Sequence, residues 1–157
     1  YINIGKSRLA GVETMCKIQI NRHINMHGAY NYLYTSKDAD GVRLSSSSPH
    51  SGNIRAEYNT RIPRYATVVN LSGNIMGKKK FDVLDELEID GKKVEAYYQA
   101  KVNPYCLWDL TVSQYIMQNL RITAGITNLF DYTSDRVTFN TSTSPGRNYF
   151  IACNYTL

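Results

Sequence analysis

Histidine, cysteine, carboxylate and lysine side chains are the groups in this chain able to bind a metal, attack a substrate or hold an anion. Three histidines, His23, His27 and His50, invite comparison with axial ligands, because imidazole binds haem iron. His23 falls beside a predicted turn and His27 on the wet face of a predicted strand. That leaves His50, next to Pro49, as the one candidate for ligand contact. Cys16, Cys106 and Cys153 make no CxxC pair and, being three, cannot all pair within the chain, so they read as small apolar residues. Glu13 and Asp109 are carboxylates that nothing sets beside a nucleophile or a metal, and pairing with Arg or Lys is their expected role. No convergent Ser/His/Asp or Asp/His arrangement is found. No catalytic residue, metal ligand set or cofactor is therefore expected, and the chain is not read as an enzyme. The run Lys78, Lys79 and Lys80 raises the local concentration of anions, although a solvated strand end would need the same residues.

The elements that carry these groups follow from composition and period. The 157 residues include thirteen tyrosines, one tryptophan and four phenylalanines, with a formal charge of +5. No segment approaches the roughly 18 apolar residues of a membrane-spanning helix, which excludes a helical membrane protein. Aromatic and small polar residues together suit strands with one apolar and one wet face. The basic residues are scattered rather than gathered on one helix face, so no nucleic-acid partner is expected. No charged and then apolar leader opens the chain, as expected of a mature or truncated exported protein.

Two-residue alternation recurs in segments of roughly ten residues, the length of a tilted strand crossing a bilayer. Residues 9–21 set Val12, Cys16, Ile18 and Ile20 against Glu13, Lys17 and Gln19. Residues 23–35 set Ile24, Met26, Tyr30, Tyr32 and Tyr34 against Asn25, His27, Asn31 and Thr35. Residues 52–62 set Ile54, Ala56, Tyr58 and Ile62 against Asn53, Arg55, Glu57, Asn59 and Arg61, a face that suits a watery lumen. Residues 65–77 set Val69, Leu71, Gly73 and Ile75 against Asn70, Ser72 and Asn74. Further strands are expected over 96–116, with Trp108, Leu110, Val112 and Ile116 on the apolar face, over 120–130, and over 146–157, where Phe150 breaks the pattern.

Loops are expected at 36–48, 81–95 and 131–144, and tight turns at the remaining connections. Connections that alternate short and long are typical of outer-membrane barrels with tight periplasmic turns and long external loops. The fold class is therefore all-β: an antiparallel transmembrane β-barrel, of which about seven strands are present. Seven strands leave two open edges that lipid does not tolerate, so further strands are expected elsewhere. His50 falls at the external mouth of such a barrel, and the three loops are candidates for ligand capture. Tyr30, Tyr32, Tyr34, Tyr98, Tyr105, Tyr149 and Tyr155 are expected in the interfacial belts.

Several segments in order resemble one family. Gly11-Val12-Glu13 and Tyr30-Asn31-Tyr32 are joined by Trp108-Asp109-Leu110-Thr111-Val112-Ser113. Gly125-Ile126-Thr127-Asn128-Leu129-Phe130-Asp131 follows, and then Ser144-Pro145-Gly146-Arg147-Asn148-Tyr149-Phe150. At barrel spacing this resembles the carboxy-terminal strands of a TonB-dependent outer-membrane receptor, over nearly the whole chain. The family pattern usually ends in phenylalanine, where this chain ends Tyr155-Thr156-Leu157. Residues 73–79 with their flanks, SGNIMGKKK, resemble haem- or cobalamin-type receptors of Bacteroidetes-like bacteria more than the glycan importers.

The resemblance implies a roughly 22-stranded barrel, whose lumen must be plugged. The plug domain and the earlier strands would lie outside residues 1–157, so this chain alone should transport nothing. The implied function is energy-coupled import of a scarce nutrient (haem, cobalamin, an iron chelate or a glycan) across the outer membrane of a Gram-negative bacterium. The implied partners are the remaining receptor with its plug, the TonB complex acting through that plug, outer-membrane lipid and lipopolysaccharide, and a surface lipoprotein. A complete small barrel, or an adhesion module without transport, is the rival reading.

Overall fold

The computed structural model describes residues 8–36, 48–89, 92–117, 119–133 and 145–156, with residues 80–100 as backbone. Among the described residues nine strands run in order: β1 Leu9–Gln19, β2 Ile24–Thr35, β3 His50–Asn59, β4 Thr67–Met76, β5 Lys79–Ile89, β6 Lys92–Val102, β7 Tyr105–Ile116, β8 Leu120–Thr127 and β9 Asn148–Tyr155. Seven of them form one antiparallel sheet in the order β1-β2-β3-β4-β7-β8-β9, and β5 pairs only with β6. No helix among the described residues is long and apolar enough to cross a membrane.

The seven strands of the sheet are those expected from the alternation. One expectation fails: the loop placed at 81–95 is most of a hairpin, in which Lys79 pairs with Val102 and Ile89 with Lys92. The strand expected over 96–116 is correspondingly two strands, separated by Asn103 and Pro104. Proline has no backbone N–H to donate to a ladder, so pairing stops there. The other expected loops, 36–48 and 131–144, lie outside the described residues except at their ends.

By contacts the chain divides into two compact units. One contains Tyr1–Glu13, Asn31–Ser51 and Met76–Tyr105, and the other Thr14–Tyr30, Gly52–Ile75 and Cys106–Leu157. In the first, the sheet is knitted by Leu33 N–H to the Pro49 carbonyl at 2.9 Å and Gly77 N–H to the His50 carbonyl at 2.8 Å. A Cβ on Gly77 would stand 2.7 Å from that same carbonyl, so this close crossing requires glycine. Tyr32 and Tyr34 are exposed on alternate positions of β2.

In the second unit the register of β7, β8 and β9 fixes two faces. Leu110, Val112 and Ile116 stand opposite Ile126, Ala124 and Leu120, and these last stand opposite Tyr149, Ile151 and Tyr155. Ser113 and Thr123, opposed on the other face, hydrogen-bond at 2.9 Å. Phe150 belongs to that polar face, opposite Gly125, and its ring occupies the space where a glycine side chain would begin. The missing Cβ therefore explains the aromatic that broke the alternation. Trp108 covers Gly73 in the same way.

The short connections are closed by local chemistry. Asn21 Oδ1 accepts from the N–H groups of His23 and Ile24 at 2.8 and 2.9 Å, an Asx turn that returns β1 into β2. Between β3 and β4, Pro63 and a left-handed Arg64 (φ 70°) lie inside a turn closed by Tyr65 N–H to the Ile62 carbonyl at 3.3 Å. That pattern fits a type II turn. Between β7 and β8, Met117 takes φ 56° and donates to the Arg64 carbonyl.

The described residues have almost no core. Val102 is the only buried apolar residue among them, and no side chain is fully buried. Met15 is 74 % exposed and Ile151 81 %. An apolar face of this extent in water would be an aggregation hazard, whereas against hydrocarbon it is the required surface.

Candidate functional site

The histidines are placed by different constraints. His23 is held in the turn between β1 and β2, where Nδ1 lies 2.8 Å from the Asn59 carbonyl and Nε2 lies 2.8 Å from Arg22 Nε. Arg22 is a donor, so Nε2 accepts and Nδ1–H donates, which commits the ring to structure as expected. His27 lies within β2, half-buried. His50 opens β3 as an exposed residue with its ring centroid 5.2 Å from that of Tyr32, and its carbonyl accepts from Gly77 N–H and from the Ser48 hydroxyl. Among the described residues no three His, Cys, Asp or Glu side chains converge as a metal site would need.

The first unit contains an open groove of about 520 Å³ lined by Glu13, Asn31, Tyr32, Ser51, Met76 and Lys79 among others, and His50 does not line it. A carboxylate, an ammonium group and an aromatic ring on one concave surface can hold a polar ligand by charge and stacking together. Glu13 and Lys79 each stood out in the sequence for its own reason; only folding brings them to one surface.

The other organised cluster closes the ends of β8 and β9 where the connection between them begins and finishes. Asn128 is 95 % buried in a left-handed conformation (5 % exposed, φ 53°). Its Nδ2 donates to the Tyr132 and Pro145 carbonyls at 2.7 and 3.2 Å, and its Oδ1 accepts from Tyr132 N–H at 2.9 Å. Asp131, also left-handed, accepts from Arg147 N–H at 2.7 Å. The exposed Arg147 guanidinium is held more tightly on its proton than usual by its hydrogen bond to Tyr149 and, to a lesser degree, by the charge of Asp131. Asp109 was expected to pair with Arg or Lys; its Oδ1 instead accepts from Asn128 N–H at 2.9 Å and joins β7 to this clasp. The Asn-Leu-Phe-Asp and Pro-Gly-Arg segments, far apart in sequence, are thus one structural device that fixes both ends of the connection between β8 and β9.

Spanning-length strands, one apolar face and alternating connection lengths define a segment of outer-membrane β-barrel wall. The chain belongs to the family described as TonB dependent receptor-like, beta-barrel, whose model matches residues 1–129. Solved structures agree on the fold. The ferripyoverdine receptor of the outer membrane of Pseudomonas aeruginosa superimposes with a TM-score of 0.73 at 17 % identity, over 95 % of this chain and 19 % of its own. A ferric enterobactin receptor of the same organism gives 0.75 at 19 % identity, over 98 % of this chain and 23 % of its own. The chain therefore spans about a fifth of the length of these receptors. No curated protein matches it.

Proposed function

We propose that this chain is the carboxy-terminal wall section of an energy-coupled outer-membrane receptor that imports a scarce nutrient. The match of the family model over residues 1–129 carries this reading. The open edges of the seven-stranded sheet add to it, because lipid requires every backbone donor and acceptor on those edges to be paired. The remaining strands and a plug domain complete the barrel, to roughly 22 strands at the size that needs a plug. The groove and the connections beyond β2, β4 and β8 form part of the external mouth, where the nutrient is captured. His50, at the rim, contributes through its packing on Tyr32. The TonB complex pulls the plug and releases the ligand inward, so the work is conformational and no covalent step is assigned to these residues. The nutrient belongs to the class of iron chelates, haem, cobalamin or glycans, and a surface lipoprotein serves as a capture partner.

The test is uptake. A strain carrying a deletion of the receptor, complemented by the full-length gene, is grown with each of the four nutrient classes as the limiting supply. Growth on one class that requires both the receptor and TonB is the expected result. Growth independent of both on all four, with the protein present as a closed small barrel, would replace the transport reading with that of an adhesion module.

A further inference from the structure

In the second unit, the short connection between β3 and β4 leaves Arg61, Ile62, Arg64 and Tyr65 exposed. The turn after β7 brings Met117 beside them, its N–H donating to the Arg64 carbonyl. Ile62 is 53 % exposed, Tyr65 52 % and Met117 62 %. Arginine, tyrosine and methionine are over-represented where proteins bind one another. The charge at this end of the sheet is all of one sign. Arg22 and Arg121 flank the neighbouring connections, and residues 20–24, 59–67 and 115–121 contain no Asp or Glu. Arg22 is bonded to His23, and Arg121 lies over the Tyr115 ring at 5.9 Å. Among the described residues nothing is hydrogen-bonded to or ion-paired with the Arg61 or Arg64 guanidinium.

The backbone here is strained. Arg61 (φ 53°), Arg64 (φ 70°) and Met117 (φ 56°) are three of the five left-handed residues other than glycine among the described residues. The other two, Asn128 and Asp131, are of the types that tolerate this conformation; arginine and methionine are not. Surrounding bonds hold the strain in place. Arg61 N–H donates to Asn59 Oδ1 at 2.8 Å, Thr67 N–H to Thr60 Oγ1 at 2.9 Å, and Gln114 Nε2 to the Tyr65 carbonyl at 3.2 Å. Strain that the surroundings maintain marks positions kept for function. A cation on a flexible stem reaches a lipid headgroup from a turn of any shape. Guanidinium groups and rings held in fixed places instead favour a shaped partner, because less freedom is lost on binding.

We propose that Arg61, Ile62, Arg64, Tyr65 and Met117 form a docking surface for a periplasmic protein that presents carboxylates beside an apolar side chain. The surface rests on the reading of the chain as outer-membrane barrel wall with its short connections toward the periplasm.

The test uses the full-length receptor in its own outer membrane, with the photoreactive p-benzoylphenylalanine replacing Tyr65 or, as a control in mid-strand, Ile54. Irradiation of living cells links position 65, and not position 54, to one periplasmic protein identified by mass spectrometry. That protein, purified, binds the intact receptor in mild detergent. Arg61→Gln/Arg64→Gln weakens the binding roughly thirty-fold, and Arg61→Lys/Arg64→Lys recovers most of it. Each variant is first shown to be folded by its heat-modifiable mobility in gels. Absence of a protein adduct at position 65, or an adduct only with lipid, with the plug or with a second receptor, overturns the proposal while leaving transport intact. Equal binding by the double glutamine variant does the same. Labelling of Tyr65→Cys on intact cells by a membrane-impermeant maleimide, beyond that of the unsubstituted receptor, overturns the orientation of the barrel wall and this surface with it.

Discussion

Asn128 illustrates how one side chain closes a loop. Its amide satisfies backbone groups of Tyr132 and Pro145, and the residue is almost fully buried. Replacing it with alanine leaves those groups without their partner, and Asn128→Ala should lower stability by about 1–3 kcal/mol, measured by urea unfolding of the refolded receptor in lipid. Gly125 is the second sensitive position. A Cβ there would lie 2.3 Å from the Phe150 ring, so Gly125→Val forces the ring aside. Truncating the ring should recover part of the loss, with a coupling in a Gly125→Val/Phe150→Ala cycle of about 0.5–3 kcal/mol. At this scale the sequence was half legible. The motif containing Asn128 marked a family position, but one of its partners, Pro145, lies across a loop. Phe150 looked like an irregularity because a glycine on the next strand leaves no trace in a single-strand pattern. Asp109 reads from the sequence as a carboxylate in want of a basic partner, whereas its backbone partner on Asn128 depends on register.

Among the elements, the strands of the seven-stranded sheet declared themselves through period two, since each has one face for lipid and one for water. The hairpin did not. The run Asp82, Asp85, Glu86 and Glu88 masked the apolar alternation of Phe81, Val83, Leu87 and Ile89, so the segment looked like a charged loop. The signal that would have revealed it was Asp90-Gly91, a strong two-residue hairpin dipeptide, lying between residues that the register now pairs. Because β5 and β6 form a sheet of their own, replacing residues 81–100 by an Asn-Gly turn should leave heat-modifiable barrel mobility intact. Uptake of the limiting nutrient should fall in the same variant. The turn between β3 and β4 offers a gain instead. Arg64 holds a left-handed backbone that glycine adopts without strain, so Arg64→Gly should raise stability by up to about 1 kcal/mol in the same unfolding assay.

For the whole molecule the decisive fact is that the described residues have almost no core of their own. A chain whose apolar residues face outward and whose sheet ends in β1 and β9 depends on lipid and on further strands to satisfy it. Expressed alone with an export signal, residues 1–157 should yield no heat-modifiable monomer, and co-expression with the remaining receptor should restore one. A folded monomer from the isolated chain would favour the small-barrel alternative. The strand count was legible because each bilayer-length strand shows its own period, and seven such strands fall short of the eight of the smallest bacterial barrels. Ligand identity was not, because specificity resides in side chains that meet only after the loops fold.

The free thiols acquire a use from their position. Cys16 lies exposed on β1 and Cys153 exposed on β9, the two margins of the seven-stranded sheet. On the proposed reading each of these margins is a seam with the rest of the receptor and carries a native cross-linking handle. A single cysteine introduced on a neighbouring strand and oxidised with copper phenanthroline would trap that neighbour covalently and report, residue by residue, which strand lies beside each margin in the living envelope.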